Sequence, residues 1–311
     1  FCTFSGSRRK HRPQEKMNHH GRNGAHAVPG QTQGIPESVF MKLIRDLQMD
    51  TDREEALRVL SRHRDSIPDL ARTLWQSGGV VAALIHEVIR IYPQLVAPSQ
   101  LTAGASGRVC SALALMQPLV SDEVTRPLVF QAGLPLLLYP FLNVRHPAAP
   151  CEHLRLTSLG VIGALVKSKD PDAVGYLLRS EVIPLCLRNM ESGSELCKMV
   201  ATFILHKILE DDRGLSYVCQ TGERFYAVAS VLSKILDHLV EHPSPRLLKQ
   251  VLECYVRFMD DARAKSVLQQ CPPQNLESKS LKDSLGDDKK AKFSFFQLTV
   301  ALSYVGEKTQ A

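Results

Sequence analysis

The chain has 311 residues, 44% hydrophobic content and a formal net charge of +6 at pH 7. Positions 1–16 carry +4 of that charge, so the remaining residues carry only +2. The net positive charge therefore belongs mainly to the N-terminal tail. The remaining residues do not form a uniformly basic body that would bind nucleic acid by charge alone. A chain of this length can bury a large core, and the low aromatic content of 6% favours helices packed through aliphatic side chains.

Residues 1–35 are predicted to form a disordered basic tail, because they are rich in Gly, His, Arg, Asn and Gln and lack the apolar residues of a core. Met17 begins a polar stretch that suits a natural start, which leaves residues 1–16 open to interpretation as an extension. No apolar run of the kind found in a signal peptide occurs here, so no secretory leader is expected.

Helical spacing begins at Pro36, after which apolar residues recur every three or four positions. A second helix is predicted over residues 54–63. A third apolar run follows Gly78-Gly79 and is stopped by Pro93. Ser192 and Glu195 match a capping box, with Ser192 as the predicted N-cap of the helix that follows.

A layout of about 45 residues then recurs three times. Each copy holds a helix, a charged break, a second helix, a short junction and a third apolar segment. The copies are marked by Arg108, Arg155 and Lys198, which stand 47 and 43 residues apart. That period is typical of three-helix solenoid repeats. The sequence therefore predicts an all-α solenoid over residues 36–271, a surface for holding other molecules.

The body is predicted to end at Cys271-Pro272-Pro273. Residues 274–292 are polar and charged, which favours a linker. Residues 293–305 are apolar and suit either a docked terminal element or a mis-assigned end. Residues 272–311 are accordingly predicted to be a linker and an atypical C-terminal tail.

The eight cysteines are scattered without a CxxC pair, and they are expected to be small buried hydrophobes in a reducing compartment. The cytoplasm is the predicted location, with the nucleus as a second one. No stretch is apolar for long enough to span a membrane, and no membrane partner is expected. Catalytic and nucleotide-binding motifs are absent, and the histidines lack metal-ligand spacing. Neither enzymatic activity nor a cofactor or metal is predicted.

Several strings in the body resemble the "required for cell differentiation" family, the armadillo-repeat subunit of the Ccr–Not mRNA deadenylase complex. The resemblance covers roughly residues 36–271, and long strings recur in order. They are Pro68-Asp69-Leu70-Ala71, RVCSALAL from Arg108, LLYPFL from Leu137, LRLTSLGVIGALVK from Leu154, MESGSEL from Met190 and VATFIL from Val200.

The resemblance implies an armadillo-type, right-handed solenoid that acts as a non-catalytic adaptor. Such an adaptor docks on the Not scaffold subunit and binds tryptophan-containing or helical peptides of translational repressors, which promotes mRNA decay and translational repression. Homodimers and binding of single-stranded nucleic acid are further implied properties.

The scaffold-binding surface implied by the resemblance follows Trp75 and comprises Gln76, Gly78, Ala82 and Ile89. Family members usually carry His and Phe where this chain has Gln76 and Gly78. Loss of an aromatic anchor is expected to weaken scaffold binding.

The peptide groove implied by the resemblance comprises His153, Gly160 and Val200, with His153 in place of the usual tyrosine. The tryptophan pockets, which are also the candidate nucleic-acid site, correspond to Arg224, Arg246 and Arg263.

Each of these residues also has a purely structural interpretation. Gly160 suits close packing between repeats as well as peptide approach, and the arginines suit a solvated face balanced by nearby acidic residues. Trp75 suits the core better than an interface. Two other functional hypotheses stay open: a single-stranded nucleic-acid-binding repeat protein, and a divergent paralogue with weakened scaffold binding.

Overall fold

A computed structural model of the chain describes residues 35–168 and 170–303, and the predicted tail over residues 1–34 lies outside them. Within this described part the secondary structure is seventeen α-helices and three short 3₁₀ helices, with no β-strand. The predicted all-α class is therefore confirmed. None of the described helices is long and apolar enough to cross a membrane.

The helices follow one another in triplets after a leading helix α1, Glu37–Asp46. The first triplet is α2 Arg53–His63, α3 Leu70–Gln76 and α4 Val80–Ile89. The second is α5 Ala103–Ser121, α6 Thr125–Gln131 and α7 Tyr139–Asn143. The third is α8 Ala149–Lys167, α9 Pro171–Arg179 and α10 Val182–Ser192. The fourth is α11 Glu195–Glu210, α12 Asp212–Cys219 and α13 Gly222–Glu241. The fifth is α14 Pro245–Phe258, α15 Ala262–Gln270 and α16 Lys279–Ser284, and α17 Lys289–Ser303 follows. The 3₁₀ helices are Tyr92–Leu95, Pro98–Gln100 and Leu134–Leu138.

Equivalent helices of successive triplets pack against one another. The first helices α2, α5, α8, α11, α14 and α17 contact each other in that order, which forms one continuous row. The third helices make a second row, in which α7, α10, α13 and α16 are successive neighbours. Each triplet is thus covered by the triplets before and after it, which is how a solenoid buries its core.

Side-chain caps fix where many of these helices begin. Ser194 is the N-cap of α11, and its hydroxyl accepts a hydrogen bond from the Cys197 backbone N–H. The capping box predicted at Ser192 is therefore wrong, because Ser192 is still the last residue of α10. The break falls at Gly193, where an added Cβ would lie 2.5 Å from the Asn189 carbonyl oxygen.

A single hydrophobic cluster runs through the stack from Leu43 to Leu298. Five described cysteines lie inside this core, and every described cysteine is a free thiol. Burial raises the pKa of Cys186 to about 12, which keeps it a neutral thiol. These cysteines act as small apolar side chains, as expected.

The structure corrects the predicted boundary at residue 271. Residues 272–292 are not a linker, because they contain α16 and place Leu276, Leu281 and Leu285 in the core. The Ser280 hydroxyl also donates to the Val240 carbonyl at 2.9 Å. Three leucines among polar residues are enough to anchor a short helix, although the average composition of the segment is that of a linker. Helix α17 then docks on α14 and buries Leu298.

A buried ion cluster joins the first two triplets. Glu87 of α4 is 0% exposed. Its carboxylate accepts hydrogen bonds from Arg53 at 3.0 Å and from Arg108 at 2.6 and 2.8 Å. Burial acts to raise the pKa of Glu87, but the hydrogen bonds from Arg108 and Arg53 outweigh it and leave the pKa below its ordinary value. Glu87 therefore stays ionised and ties α2, α4 and α5 together.

Candidate functional site: two partner surfaces of the helix stack

The surface around α4 presents apolar side chains to solvent. Ala82 and Ile89 are exposed and stand seven residues apart, which places them on one side of the helix with the half-buried Ile85 between them. Trp75, at the end of α3, is half-buried and packs against the core. We call Trp75, Ala82, Ile85 and Ile89 the α4 face. An exposed isoleucine in line with a half-buried one on the same side of a helix is an apolar strip suited to a protein partner.

Gln76 is the last residue of α3 and Gly78 lies in the connection between α3 and α4, at the edge of the α4 face; both are exposed. The Gly78 carbonyl accepts a hydrogen bond from the Gln48 side chain at 2.6 Å. A Cβ added at Gly78 would have no atom within 4 Å, so a larger side chain fits there without displacing the fold. Gly79 is different, because its φ of +80° starts α4 in the left-handed region.

The predicted groove residues lie on two neighbouring helices of the first row. His153 and Gly160 are seven residues apart on α8, and Val200 lies on α11. The structure assigns the two glycines of α8 to different neighbours. A Cβ at Gly160 would lie 3.0 Å from the Gln117 amide nitrogen of α5, whereas a Cβ at Gly163 would lie 3.8 Å from Val200. The distance at Gly163 is an ordinary van der Waals contact, whereas the distance at Gly160 is tighter than most, so close packing requires a glycine at 160 more than at 163.

A groove of about 580 Å³ lies between α11 and α14, and Val200 and Arg246 both line it. Its apolar wall is formed by Met199, Val200 and Phe203 on α11 and by Pro245 at the start of α14. We call this cleft the α11–α14 groove. Its position between two neighbouring helices and its mixed apolar and charged lining suit a peptide side chain or a short helix better than a small cofactor.

Charged side chains form the far wall of the α11–α14 groove. His206 is 7% exposed and lies between two carboxylates, with Glu210 and Glu253 each 3.6 Å from one of its ring nitrogens. Lys290 at the start of α17 pairs with Glu253 at 2.6 Å. Burial lowers the pKa of His206 in spite of the two carboxylates, which favours the neutral imidazole at pH 7.

Sequence reasoning missed His206 and Glu253 as groove residues. They stand 47 residues apart, which is one repeat, so aligning the first helices of successive repeats would have placed them side by side. The lack of any local motif around either residue concealed them.

The three predicted pocket arginines all lie in the first turns of their helices. Arg224 is in the first turn of α13 and Arg246 in the first turn of α14. Helix α13 separates them by roughly 25 Å, at 1.5 Å per residue. Arg263 is in the first turn of α15, one helix length beyond Arg246. The structure therefore does not bring Arg246 together with Arg224, and it places Arg246 in the α11–α14 groove.

Arg224 is engaged within its own repeat. Its guanidinium lies 3.9 Å from the centre of the Tyr217 ring and donates to the Tyr217 carbonyl at 3.3 Å. A guanidinium stacked on one ring has its other face available for an indole or a base. Arg263 is exposed and close in sequence to the Asp261 cap of α15.

One group of His and acidic residues in the described part has closely spaced ligand atoms, namely Asp50, His86 and Glu87. The Glu87 oxygens already accept from Arg53 and Arg108. Two neighbouring guanidinium charges oppose a cation at this position. The group therefore suits the ion cluster described above and does not suit a metal.

Comparisons with known proteins identify the family and the fold class of the chain. Residues 43–302 match the model of the cell differentiation family, Rcd1-like. The chain belongs to this family. The fission yeast cell differentiation protein rcd1 (Schizosaccharomyces pombe) is 49% identical over 275 residues, which cover 88% of this chain and 96% of that protein. The Saccharomyces cerevisiae protein CAF40 is 47% identical over 261 residues, 84% of this chain and 70% of that protein.

The Rcd1-like match extends to residue 302, which agrees with the docked position of α16 and α17. Solved structures of designed armadillo repeat proteins share the fold. One of them, described as a complex with the peptide (KR)4, gives a TM-score of 0.59 at 13% identity, with 84% of this chain and 98% of that chain covered. Another, designed for modular peptide recognition, gives 0.62 at 13% identity, with 84% and 98% covered. The predicted armadillo-type solenoid and the family resemblance are both confirmed.

Proposed function

We propose that this chain is a non-catalytic adaptor subunit of the Ccr–Not deadenylase complex. In this proposal the α4 face docks on the Not scaffold subunit, and the α11–α14 groove receives peptides of translational repressors. The observation that carries it is the solvent-facing α4 face on a member of the Rcd1-like family, with Ile89 40% exposed. Its expected place of action is the cytoplasm, with the nucleus as a second location.

The apolar character of the α4 face is what favours a protein partner. Removing the exposed Ile89 and the rest of the half-buried Trp75 from water lowers the free energy of a complex, and tryptophan is a common energetic centre of interfaces. Gln76 and Gly78 lie at the rim of the face. This chain therefore presents fewer anchors than a family member with His and Phe there, and we expect its scaffold affinity to be lower.

Capture of the full chain by the helical module of the Not scaffold tests the scaffold contact. The informative variant is Ile89→Glu, which replaces the most exposed isoleucine of the α4 face by a charge. Val124→Glu is the matched control, because Val124 is a 55% exposed apolar residue at the start of α6, outside the face. We expect Ile89→Glu to abolish capture and Val124→Glu to retain it. No capture of the unaltered chain at micromolar concentration would reject the scaffold contact.

The groove part of the proposal has a separate test. Val200→Glu introduces a carboxylate into the apolar wall beside Phe203. We expect this variant to lose binding of labelled repressor peptides while its capture by the scaffold module stays unchanged. Equal loss of both activities would mean that the substitution unfolds the chain, and circular dichroism of the same sample checks that point.

A further inference from the structure

Two histidines meet at the C-terminal end of α13. His238 lies in the last turn of this helix, and His242 is its C-cap residue. The two positions are four residues apart, a spacing at which side chains of a helix are neighbours. Their ring centres are 4.8 Å apart, and the ring planes are tilted by 52° to each other. We call His238 and His242 the α13 histidine pair.

Spacing alone does not make such a pair a metal site, and the contact between the rings is what the structure adds. Two imidazole nitrogens bound to one tetrahedral zinc ion are roughly 3.3 Å apart, because each Zn–N bond is about 2.0–2.1 Å long. Ring centres 4.8 Å apart allow two ring nitrogens to reach that separation by rotation of the side chains. The α13 histidine pair can therefore hold one ion between its two rings.

A carboxylate of α11 holds the ring of His238. The Nε2 atom of His238 lies 2.8 Å from Glu195 Oε1. Donation from Nε2 to this carboxylate leaves the lone pair on Nδ1, which is the form of the ring that binds a metal. Within the described residues, every hydrogen bond of the His238 side chain involves Nε2. Metal-binding histidines almost always donate their second nitrogen to a carboxylate, a carbonyl or a water in this way.

The charges around the α13 histidine pair favour a cation. Lys198 lies 3.3 Å from His238 Nε2, but it also pairs with Glu195 at 3.0 Å, which offsets its charge. Glu241, the residue before His242, is an exposed carboxylate, so the sum of these three charges is negative. The last carbonyl groups of α13 carry partial negative charge as well.

We propose that the α13 histidine pair, oriented by Glu195, binds a divalent late transition metal of the class of Zn²⁺, Ni²⁺ and Cu²⁺. Imidazole nitrogen suits these ions, whereas Mg²⁺ and Ca²⁺ prefer oxygen ligands. Structural zinc sites use four protein ligands, whereas two ligands leave the other coordination positions to water. The site is therefore open and exchangeable, and it lies at the surface of the fourth triplet.

Isothermal titration of the full chain with NiCl₂ tests the site. We expect one binding event to be lost in His238→Gln and equally in His242→Gln, because a chelate needs both rings. The matched control is His19→Gln/His20→Gln, which removes two neighbouring histidines of the N-terminal tail and is expected to keep that event. MgCl₂ is expected to give no such event. Retention of the Ni²⁺ event in either ring variant, or its loss in the tail variant, would overturn the proposal.

The positioning role of Glu195 has a separate test. Glu195→Gln removes the carboxylate that holds the His238 ring, and loss of such an outer partner lowers metal affinity about 10-fold or more. Glu191→Gln is the matched control, because Glu191 is a carboxylate that pairs at 2.6 Å with Lys234, one turn before His238 on α13. We expect the Glu191 variant to bind Ni²⁺ as the unaltered chain does. Equal affinity in the two variants would refute the positioning role.

Discussion

Replacement of Glu87 by glutamine is expected to destabilise the chain markedly, although the two side chains have nearly the same shape. The substitution removes one negative charge from a fully buried position and leaves the guanidinium of Arg53, which is 7% exposed, without its buried counter-ion. Breaking a buried ion pair by removing one partner costs about 3–5 kcal/mol.

Two remaining contacts reduce the expected cost. Arg53 keeps the exposed carboxylate of Asp50 at 2.6 Å, and Arg108 keeps Glu54 at 3.1 Å. We therefore expect a loss near the lower limit, about 3 kcal/mol in the free energy of unfolding. For a domain of this size that loss corresponds to a decrease in Tm of roughly 6–12 °C.

Differential scanning calorimetry of the full chain measures this effect. Glu55→Gln is the matched control, because Glu55 makes an exposed pair with Arg58 three residues along the same helix, α2. Exposed pairs of this kind contribute little, so the control is expected to melt with the unaltered chain. If Glu87→Gln also melts with the unaltered chain, the argument that the buried cluster ties the first two triplets together is refuted.

Three further predictions concern the α4 face, the acid stability and the basic residues. The double variant Gln76→His/Gly78→Phe is expected to bind the Not scaffold module several-fold more tightly, because it adds aromatic side chains at the rim of the α4 face and Gly78 has open space around it. Calorimetric titration measures this affinity, and an unchanged value would contradict the placement of these two residues at the rim of the interface. Burial alone would raise the pKa of Glu152, but hydrogen bonds from Ser194, Cys197 and Arg155 lower it to about 2. Its stabilising contribution is therefore present above pH ~4.5 and lost as the pH falls towards 2, and Glu152→Gln should flatten the Tm profile over that range; an equally steep profile would contradict this. If the chain binds single-stranded RNA, its affinity should fall steeply with salt and fall further in Arg246→Ala, as measured by fluorescence anisotropy; binding retained by residues 1–34 alone would assign it to the tail.

The solenoid was predictable because its signal is long and redundant. The marker residues Arg108, Arg155 and Lys198 stand one repeat apart, and the structure places them on α5, α8 and α11, three successive helices of one row. Period and apolar spacing therefore indicated both the helix triplets and their order of stacking.

The exact start of a helix and the role of a short polar segment were harder to predict, since the sequence offers competing signals for both. Ser192 and Ser194 both suit an N-cap, and in the structure it is the Ser194 hydroxyl that accepts from the Cys197 backbone N–H. Gly193, between them, leaves no room for a Cβ. Residues 272–292 have the average composition of a linker, but three leucines at the right positions hold them against the stack.

The candidate site was only partly predictable, because side chains that meet across repeats are distant in sequence. The resemblance indicated Val200 but not His206, which meets Glu253 one repeat later. It assigned Arg224 and Arg246 to tryptophan pockets without saying how far apart they lie, and the length of α13 separates the two. Such gaps arise when a site is assembled from helices whose relative positions the local sequence does not encode.

The claim that this chain recruits a deadenylase is tested most directly by tethering it to a reporter mRNA and measuring the rate of poly(A) shortening. The adaptor account predicts that the tethered chain accelerates shortening, that Ile89→Glu removes the acceleration and that Val124→Glu preserves it. A tethered chain that leaves the poly(A) tail unaffected, or an Ile89→Glu variant as active as the unaltered chain, would contradict the account.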